Sequence, residues 1–244
     1  MKLTLSETTA SVAHEKKVAR IVDLGLTDYT AAYRLQLELV DKRRNGTAED
    51  DLFLVTEHQG TFTLGRRGGR QNLTVSEEFL RKNDIPLVHI ERGGDITYHG
   101  QGQLVIYPII HLRQAGITVV EYVDCLEELM IRLAAASGVV ATRDPRNRGV
   151  WVGDKKLGSV GIAIRQGVCF HGMALNINIS LEPFSWVNPC GLTGVQMTTL
   201  SGESDREVTL EDVKSDLAGQ LGRVFARKFI TIAKDHPDVT MYQQ

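Results

Sequence analysis

The sequence has few cysteines, no long apolar run and almost no net charge, and each shortage excludes a class of protein. Its three cysteines, Cys125, Cys169 and Cys190, form an odd number without zinc-ligand spacing, which predicts reduced thiols in a reducing compartment. The 28 basic and 30 acidic residues give a formal net charge of -2, so no overall field attracts nucleic acid. No apolar run approaches the ~20 residues that span a bilayer. We therefore expect a cytoplasmic protein that binds neither nucleic acid nor membranes.

Targeting and metal-binding patterns are also lacking. The first eight residues have no apolar segment of the kind found in signal peptides, and Glu7 and Glu15 argue against a transit peptide. The seven histidines are scattered singly, so we expect no metal site. We predict a polar leader over residues 1–17, one folded catalytic domain over 18–230 and a C-terminal tail over 231–244.

What the sequence does contain is enough apolar residue for a sizeable core. It is 42% hydrophobic and 24% charged over 244 residues, within reach of one sheet-based domain. Helical spacing predicts a helix from Tyr29 to Val40, which Thr27 or Asp28 can cap. It also predicts a second helix opened by the capping box Thr118–Glu121 and a last one over 210–225 capped by Thr209. Short β-type runs predict strands at 18–24, 52–56, 61–64, 86–90, 104–110, 139–142, 150–152, 161–164 and 173–179.

The order of these elements decides the fold class. Strands grouped between helices, without regular βα alternation, predict an α+β single domain with a mixed, largely antiparallel sheet flanked by helices. The prolines Pro183 and Pro189 predict irregular backbone over 180–205.

A glycine-rich loop with polar side chains lies between two of the predicted strands. It runs Arg92-Gly-Gly-Asp-Ile-Thr-Tyr-His99 and continues Gly-Gln-Gly-Gln. Glycines allow positive φ and close approach of another group, and polar groups on a loop held by strands are where function usually sits. The loop is therefore a candidate functional site, although an ordinary hairpin loop has the same composition.

Cys190 is the best nucleophile candidate in the chain. It lies between Pro189, which stiffens one side, and Gly191, which allows close approach on the other. A thiol with an ordinary pKa near 8.5 needs a cation or a base nearby to be mostly thiolate at neutral pH. Lys156, His99 and His171 could serve, and spacing does not choose among them.

A basic loop, Arg66-Arg67-Gly68-Gly69-Arg70, admits two interpretations. It is either a solvated connection or a patch that meets an acidic partner.

Four motifs in this order resemble the lipoyl(octanoyl) transferases, also called the lipoate-protein ligase B family. They are Thr63-Leu-Gly-Arg66, then Arg92-Gly-Gly-x-x-Thr-Tyr-His99-Gly-x-Gly-Gln-Leu-x-x-Tyr107-Pro, then Lys156-Leu-x-Ser-Val-Gly161 followed by His171-Gly-x-Ala-Leu-Asn176, and finally Asn188-Pro-Cys190-Gly. The likeness covers roughly residues 20–225. It implies a biotin/lipoate-protein ligase-like fold and makes residues 18–230 an octanoyltransferase catalytic domain.

The resemblance also implies the chemistry. Enzymes of this family move an octanoyl or lipoyl group from acyl carrier protein to a lysine of lipoyl domains, in 2-oxoacid dehydrogenase acyltransferase subunits and the glycine cleavage H protein. It assigns Cys190 as the acyl-thioester nucleophile and Lys156 as the residue that lowers the thiol's pKa and moves protons. This acyltransferase chemistry needs no cofactor and no metal, and we expect a monomer.

By the same resemblance, three segments form the substrate pocket. Their residues are Arg92, Gly93, Gly94, Asp95, Ile96, Thr97, Tyr98 and His99, then Ser159, Val160 and Gly161, then Gly172, Met173 and Ala174. Cys169 could also line this pocket, whereas Cys125 is expected to be a helix or core residue.

Several other functions remain open from the sequence. An ATP-dependent lipoate or biotin ligase of the same fold keeps an equivalent lysine and needs no cysteine. A transferase working between lipoyl domains would differ in its donor protein. A non-catalytic module that binds acyl carriers would keep the pocket without using Cys190, and a Cys-His hydrolase would waste the thioester.

Overall fold

The computed structural model describes residues 18–145, 147–187 and 195–240. The predicted leader, the whole motif around Cys190 (residues 188–191) and the last four residues lie outside the described residues. No described helix combines the length and the apolar composition that crossing a bilayer requires.

The described chain forms twelve strands and eight α-helices. The strands are β1 (Val18–Thr27), β2 (Asp51–His58), β3 (Thr61–Leu64), β4 (Leu87–His89), β5 (Ile96–His99), β6 (Gln103–His111), β7 (Thr142–Arg143), β8 (Gly149–Val152), β9 (Lys155–Arg165), β10 (Val168–Asn176), β11 (Gln196–Met197) and β12 (Lys228–Ile232). The helices are α1 (Tyr29–Arg44), α2 (Glu77–Lys82), α3 (Leu112–Ala115), α4 (Val119–Ala136), α5 (Leu200–Glu203), α6 (Leu210–Lys214), α7 (Leu217–Phe225) and α8 (Pro237–Thr240).

Nine strands make one mixed sheet, in the order β12-β1-β2-β6-β10-β9-β8-β7, with β11 paired to β9. Strands β2, β6, β10, β9, β8 and β7 pair antiparallel, whereas β1 is parallel to both β2 and β12. A smaller sheet has the order β4-β3-β5. The predicted α+β class with a mixed sheet flanked by helices is confirmed.

The two faces of the main sheet bury separate cores. One face packs against α4 and α7 through residues such as Leu126, Leu133 and Leu221. The other face packs against α1 through Ala32, Leu39 and Val40. A third cluster joins the small sheet to α2 and to a 3-10 helix at Glu182–Trp186. The site-bearing strands β9 and β10 are therefore held from both sides.

The helix ends follow the predicted caps. The Asp28 side chain accepts a hydrogen bond from Ala31 N at 2.9 Å and opens α1. Thr118 and Glu121 form the predicted capping box of α4. Capping side chains satisfy backbone N–H groups that the first turn leaves unpaired.

Two predicted elements are wrong. The helix over 210–225 is two helices, because the Ser215 hydroxyl donates to Asp212 O at 2.6 Å and ends the first at that turn. Of the strand predicted over 139–142, the structure has only Thr142, which begins the two-residue strand β7. Val139 N instead donates to Ala134 O at the end of α4, and Val140 is 81% exposed.

Other predictions were right in kind but not in extent. The strand over 161–164 is the central part of β9, which the ladder with β10 extends to Lys155. The segment 180–205 is not wholly irregular, because it contains the 3-10 helix, β11 and α5. Pro183 lies in the first turn of that 3-10 helix, where a missing N–H costs nothing.

Candidate active site

A cavity of about 1060 Å³ opens where the small sheet meets β9 and β10. Its volume is near the upper end of ordinary small-molecule sites. The lining residues come from the signature loop, β6, β9, β10, α1, α4 and the segment before β8: Tyr29, Arg67, Arg92, Gly93, Gly94, Asp95, Ile96, Thr97, His99, Val105, Tyr107, Val123, Glu127, Arg143, Asp144, Pro145, Asn147, Arg148, Lys156, Ser159, Val160, Gly161, Ile162, His171, Gly172, Met173 and Ala174.

All but one of the described residues that the sequence singled out as the site lie in this wall. The exception is Tyr98, which is not among the lining residues. Its ring packs in the third cluster, at a centroid distance of 5.0 Å from Phe62 and 5.6 Å from Phe184. Tyr98 therefore supports the loop from behind.

Cys125 lies in α4 as expected, whereas Cys169 is not in the cavity wall. Cys169 does not line the cavity, because its side chain packs in the core beneath α4, and burial raises the pKa of its thiol to about 12. Burial also raises the pKa of Cys125 on α4. Neither thiol is suited to attack at neutral pH. Cys190 lies outside the described residues.

Lys156 is a lysine buried in the cavity wall. Only 2% of its surface is exposed, and its Nζ donates to Asn147 Oδ1 at 2.8 Å. The same nitrogen lies 5.5 Å from the centre of the Trp151 ring, within cation–π range. Lysines are almost never fully buried unless they are paired. This position therefore requires the polar and aromatic contacts that surround it.

The strand arrangement brings the C-terminal flank of the Cys190 segment to Lys156. Gln196 and Met197 of β11 pair in parallel with Lys155 and Lys156, and Thr198 N donates to Lys156 O at 2.9 Å. The chain thus passes directly beside Lys156 a few residues after Cys190.

The signature loop is fastened to β9. Gly93 N donates to Ile162 O at 2.8 Å, and Gly161 leaves room for the loop because a Cβ there would lie 3.0 Å from Arg92 Cδ. The buried Arg92 donates from Nη2 to Thr63 O and to Thr63 Oγ1, each at 2.8 Å. Arg92 therefore ties the loop to β3.

A buried hydrogen-bonded chain joins the signature loop to the strand beside Lys156. His99 Nδ1 lies 2.8 Å from Gln103 Oε1, and Gln103 Nε2 donates to Asn176 Oδ1 at 2.9 Å. Asn176 Nδ2 then donates to Thr198 O at 3.0 Å. Burial lowers the pKa of His99 to about 3, so its ring is neutral at pH 7.

Three aromatic and histidine side chains that the sequence did not single out as site residues form a cluster beside the cavity, and two of them, Tyr29 and Tyr107, line it. His58 Nε2 lies 2.7 Å from the Tyr107 hydroxyl, and Tyr29 stacks on His99 at 5.5 Å. Burial lowers the pKa of His58 to about 4 and raises the pKa values of both tyrosines. Tyr107 lies in the signature motif, but no local pattern marks Tyr29 or His58.

His171 reaches the cavity from a strained backbone position. Its φ is +54° within β10, a conformation that non-glycine residues seldom adopt. Its Nε2 lies 3.7 Å from Glu91 Oε2, and Glu91 also bonds the Tyr33 hydroxyl and Arg165. His171 and the Tyr33 hydroxyl hold the pKa of Glu91 at about 2, while burial lowers the pKa of His171. Glu91 is thus a carboxylate at neutral pH.

Sequence comparison finds close relatives over most of the chain. Residues 28–222 match the family described as the lipoyl protein ligase A/B catalytic domain. An octanoyltransferase of Desulfotalea psychrophila is 53% identical over 207 residues, covering 84% of this chain and 93% of its own. One from Syntrophobacter fumaroxidans is 44% identical over 209 residues, covering 86% and 91%.

Structural comparison finds the same fold at much lower identity. A lipoate-protein ligase A bound with ATP has a TM-score of 0.69 at 15% identity, over 92% of this chain and 91% of its own. A bipartite lipoate protein ligase from Thermoplasma acidophilum has a TM-score of 0.69 at 16% identity, over 91% and 89%. These likenesses establish the fold.

Replacing Gly161 tests how the loop is fastened. In Gly161→Ala the new Cβ would crowd Arg92 Cδ at 3.0 Å and Gly93 O at 3.2 Å, so the Gly93–Ile162 hydrogen bond should weaken. We expect amide hydrogen exchange in residues 92–99 to become about three- to tenfold faster, the equivalent of one hydrogen bond. The melting temperature should change little.

Gly93→Ala is the matched control, because its Cβ would make only an ordinary contact of 3.6 Å with Ile162 O. Unchanged exchange in Gly161→Ala would mean that the loop does not depend on this close approach.

Proposed function

The chain belongs to the lipoyl protein ligase A/B catalytic-domain family, and from that premise we propose that it carries octanoyl groups to lipoyl domains on Cys190, with Lys156 managing the protons. The buried amine of Lys156 in the wall of a large cavity is the observation that carries the proposal. The donor is octanoyl-acyl carrier protein. The acceptors are lipoyl domains of 2-oxoacid dehydrogenase acyltransferase subunits and the glycine cleavage H protein.

The first half-reaction acylates the enzyme. The Cys190 thiolate attacks the thioester carbonyl, a new C–S bond forms, and the bond to the donor sulfur breaks. The Lys156 ammonium gives its proton to the departing thiolate and becomes a neutral amine. The enzyme then holds an octanoyl thioester, and the donor leaves as a thiol.

The second half-reaction delivers the acyl group. The neutral amine of the acceptor lysine attacks the enzyme thioester, and an amide forms as the Cys190 thiolate leaves. Lys156 accepts the proton that the acceptor nitrogen loses and becomes an ammonium again. Burial suits Lys156 to this cycle, because desolvation disfavours the charged form and brings the two protonation states of a lysine closer in free energy.

The chain connection supports the pairing of these two side chains. Gln196, which pairs with Lys155 in the sheet, follows Cys190 by six positions. The Cα atoms of Cys190 and Gln196 therefore lie within about 20 Å of each other. On the other side, Val187 bridges Leu73 beside the small sheet. Both flanks of the Cys190 segment are therefore fixed on the side of the molecule that holds the cavity.

The cavity wall suits a short acyl chain. Gly161 of β9 and Gly172 of β10 are among the lining residues, while Ile96, Val160 and Met173 add apolar surface. Burying six methylenes at ~0.8 kcal/mol each is worth roughly 5 kcal/mol. An octanoyl chain thus gains useful binding energy here.

An ATP-dependent ligase of the same fold is the alternative. The ATP-bound neighbour is only 15% identical to this chain. A likeness at that level supports the fold and does not support an activity. Curated octanoyltransferases at 37–53% identity favour acyl transfer.

Intact-mass analysis tests the acyl-enzyme. After incubation with octanoyl-acyl carrier protein we expect one octanoyl group on the protein, removed by hydroxylamine and absent in Cys190→Ala. In Lys156→Ala acylation should slow by ~10²–10⁴-fold, the usual contribution of general acid–base catalysis.

Lys155→Ala is the matched control, because Lys155 is half exposed and pairs with Glu203 at 2.9 Å outside the cavity. Its acylation rate should stay near that of the wild type. An octanoyl adduct on Cys190→Ala, or equal rates in the two lysine variants, would contradict the proposal.

The cavity mouth suggests how the donor is received. Arg66 and Arg67 are exposed on a turn whose N–H groups donate to Arg92 O and Gly94 O, and Arg67 lines the cavity. We expect Arg67→Glu to raise KM for the carrier-borne donor on the order of tenfold at low salt, because charge reversal repels an acidic partner. KM for uncharged octanoyl-pantetheine should not change.

Arg81→Glu, at an exposed position on α2 outside the cavity lining, is the control of equal charge. An equal rise in KM for both donors in Arg67→Glu would place the effect in the cavity and not at a carrier-binding surface.

A further inference from the structure

A short segment before β8 places an amide oxygen on the buried lysine. Asn147 Oδ1 accepts the hydrogen bond from Lys156 Nζ at 2.8 Å, although nine residues separate the two in sequence. Asn147 also lines the cavity, so it faces the space where the reaction is placed. We propose that Asn147 is the positioning residue that orients the Lys156 amine and sets its proton affinity, an inference that rests on the proposed role of Lys156.

A buried carboxylate fastens this segment from the side of α4. Glu127 is 1% exposed, and its Oε1 accepts a hydrogen bond from Gly149 N at 2.9 Å. Its Oε2 accepts from Arg148 Nη1 at 3.2 Å and lies 3.3 Å from Arg143 Nε. A buried charge is retained only when it is paired in this way. Residues 147–149 are thus held in place at the lysine.

The backbone at Gly149 allows the segment to approach Lys156. Its φ is +128°, and a Cβ at this position would lie 3.1 Å from Lys156 Cε and 2.2 Å from Gly158 O. Only glycine fits such a conformation and such a contact. Asn147 and Gly149 therefore enclose the end of the lysine side chain together.

The chemistry explains why an amide suits this position better than a carboxylate. Lys156 must be an ammonium when the thiolate attacks the donor and an amine when the acceptor lysine attacks. A neutral oxygen orients the nitrogen in both states. A carboxylate at the same distance would bind the ammonium strongly, raise its pKa by about one to three units and oppose loss of the proton.

Other titratable and charged groups lie near this end of the cavity and bear on an assay from about pH 6 to 10. The guanidinium groups stay charged. Burial lowers the pKa of His99 to about 3 and also lowers that of His171, and it raises the pKa values of Tyr29 and Tyr107. Among the described residues of the neighbouring elements, charged side chains that line the cavity here are Glu127, Arg143, Asp144 and Arg148. Gln196 and Met197 of β11 do not titrate.

The test follows the second half-reaction across pH. Octanoylated enzyme is mixed with lipoyl domain, and single-turnover transfer is measured from about pH 6 to 10. In Asn147→Asp we expect the midpoint of the transfer profile to rise by about one to three units and the rate at pH 7.5 to fall at least tenfold.

In Asn147→Ala the pH midpoint of transfer should shift in the opposite direction. Loss of an acceptor that favours the ammonium should move the midpoint down by about one unit or less. A merely structural role would lower rates in both variants without shifting their profiles in opposite directions. If Asn147→Asp does not fold, the downward shift in Asn147→Ala decides alone. Asn45→Asp adds the same charge at an exposed helix end, and its pH profile of transfer should match that of the wild type.

The outcomes separate this inference from the proposed function. Profiles of folded Asn147 variants that overlie the wild type, while Lys156→Ala abolishes transfer, would overturn the role of Asn147 alone. Transfer that survives in Lys156→Ala with an unchanged profile would overturn the role of Lys156, and that of Asn147 with it.

Discussion

The structure depends on keeping a lysine amine out of water without leaving it unpaired. An uncompensated buried ammonium costs several kcal/mol, so the surrounding fold must supply an acceptor and a polarizable surface. Asn147 supplies the acceptor and Trp151 the aromatic face, and both belong to the chain just before or within β8. The β8–β9 hairpin, next to the edge strand β7, therefore supports the proposed proton carrier.

The same requirement organises the polar interior. The chain from His99 through Gln103 and Asn176 to Thr198 O uses both ends of each amide, and it connects the signature loop to the strand that flanks Lys156. Because a half-satisfied buried network is costly, its members hold one another in single conformations. This network therefore fixes the positions of the signature loop, Lys156 and the chain after the Cys190 segment relative to one another.

Much of this arrangement could be predicted from the sequence, and the residues explain what could not. Caps such as Asp28 and Thr118 act within one turn, so they mark helix starts locally. The family resemblance that four motifs carry implied that Lys156 and the signature loop share one site. Asn147, Glu127, Tyr29 and His58 carry no local signal, because each acts through a partner distant in sequence. Cys169 illustrates the converse, since neither its neighbours nor its strand reveals that it faces the core beneath α4.

The central claim is that the Lys156 amine favours the thiolate of Cys190. The most direct measurement is the rate of iodoacetamide alkylation at Cys190 as a function of pH, followed by peptide mass spectrometry in the wild type and in Lys156→Met. The account predicts a thiol midpoint well below ~8.5 in the wild type and at or above that value in the variant. Coincident alkylation curves would contradict it.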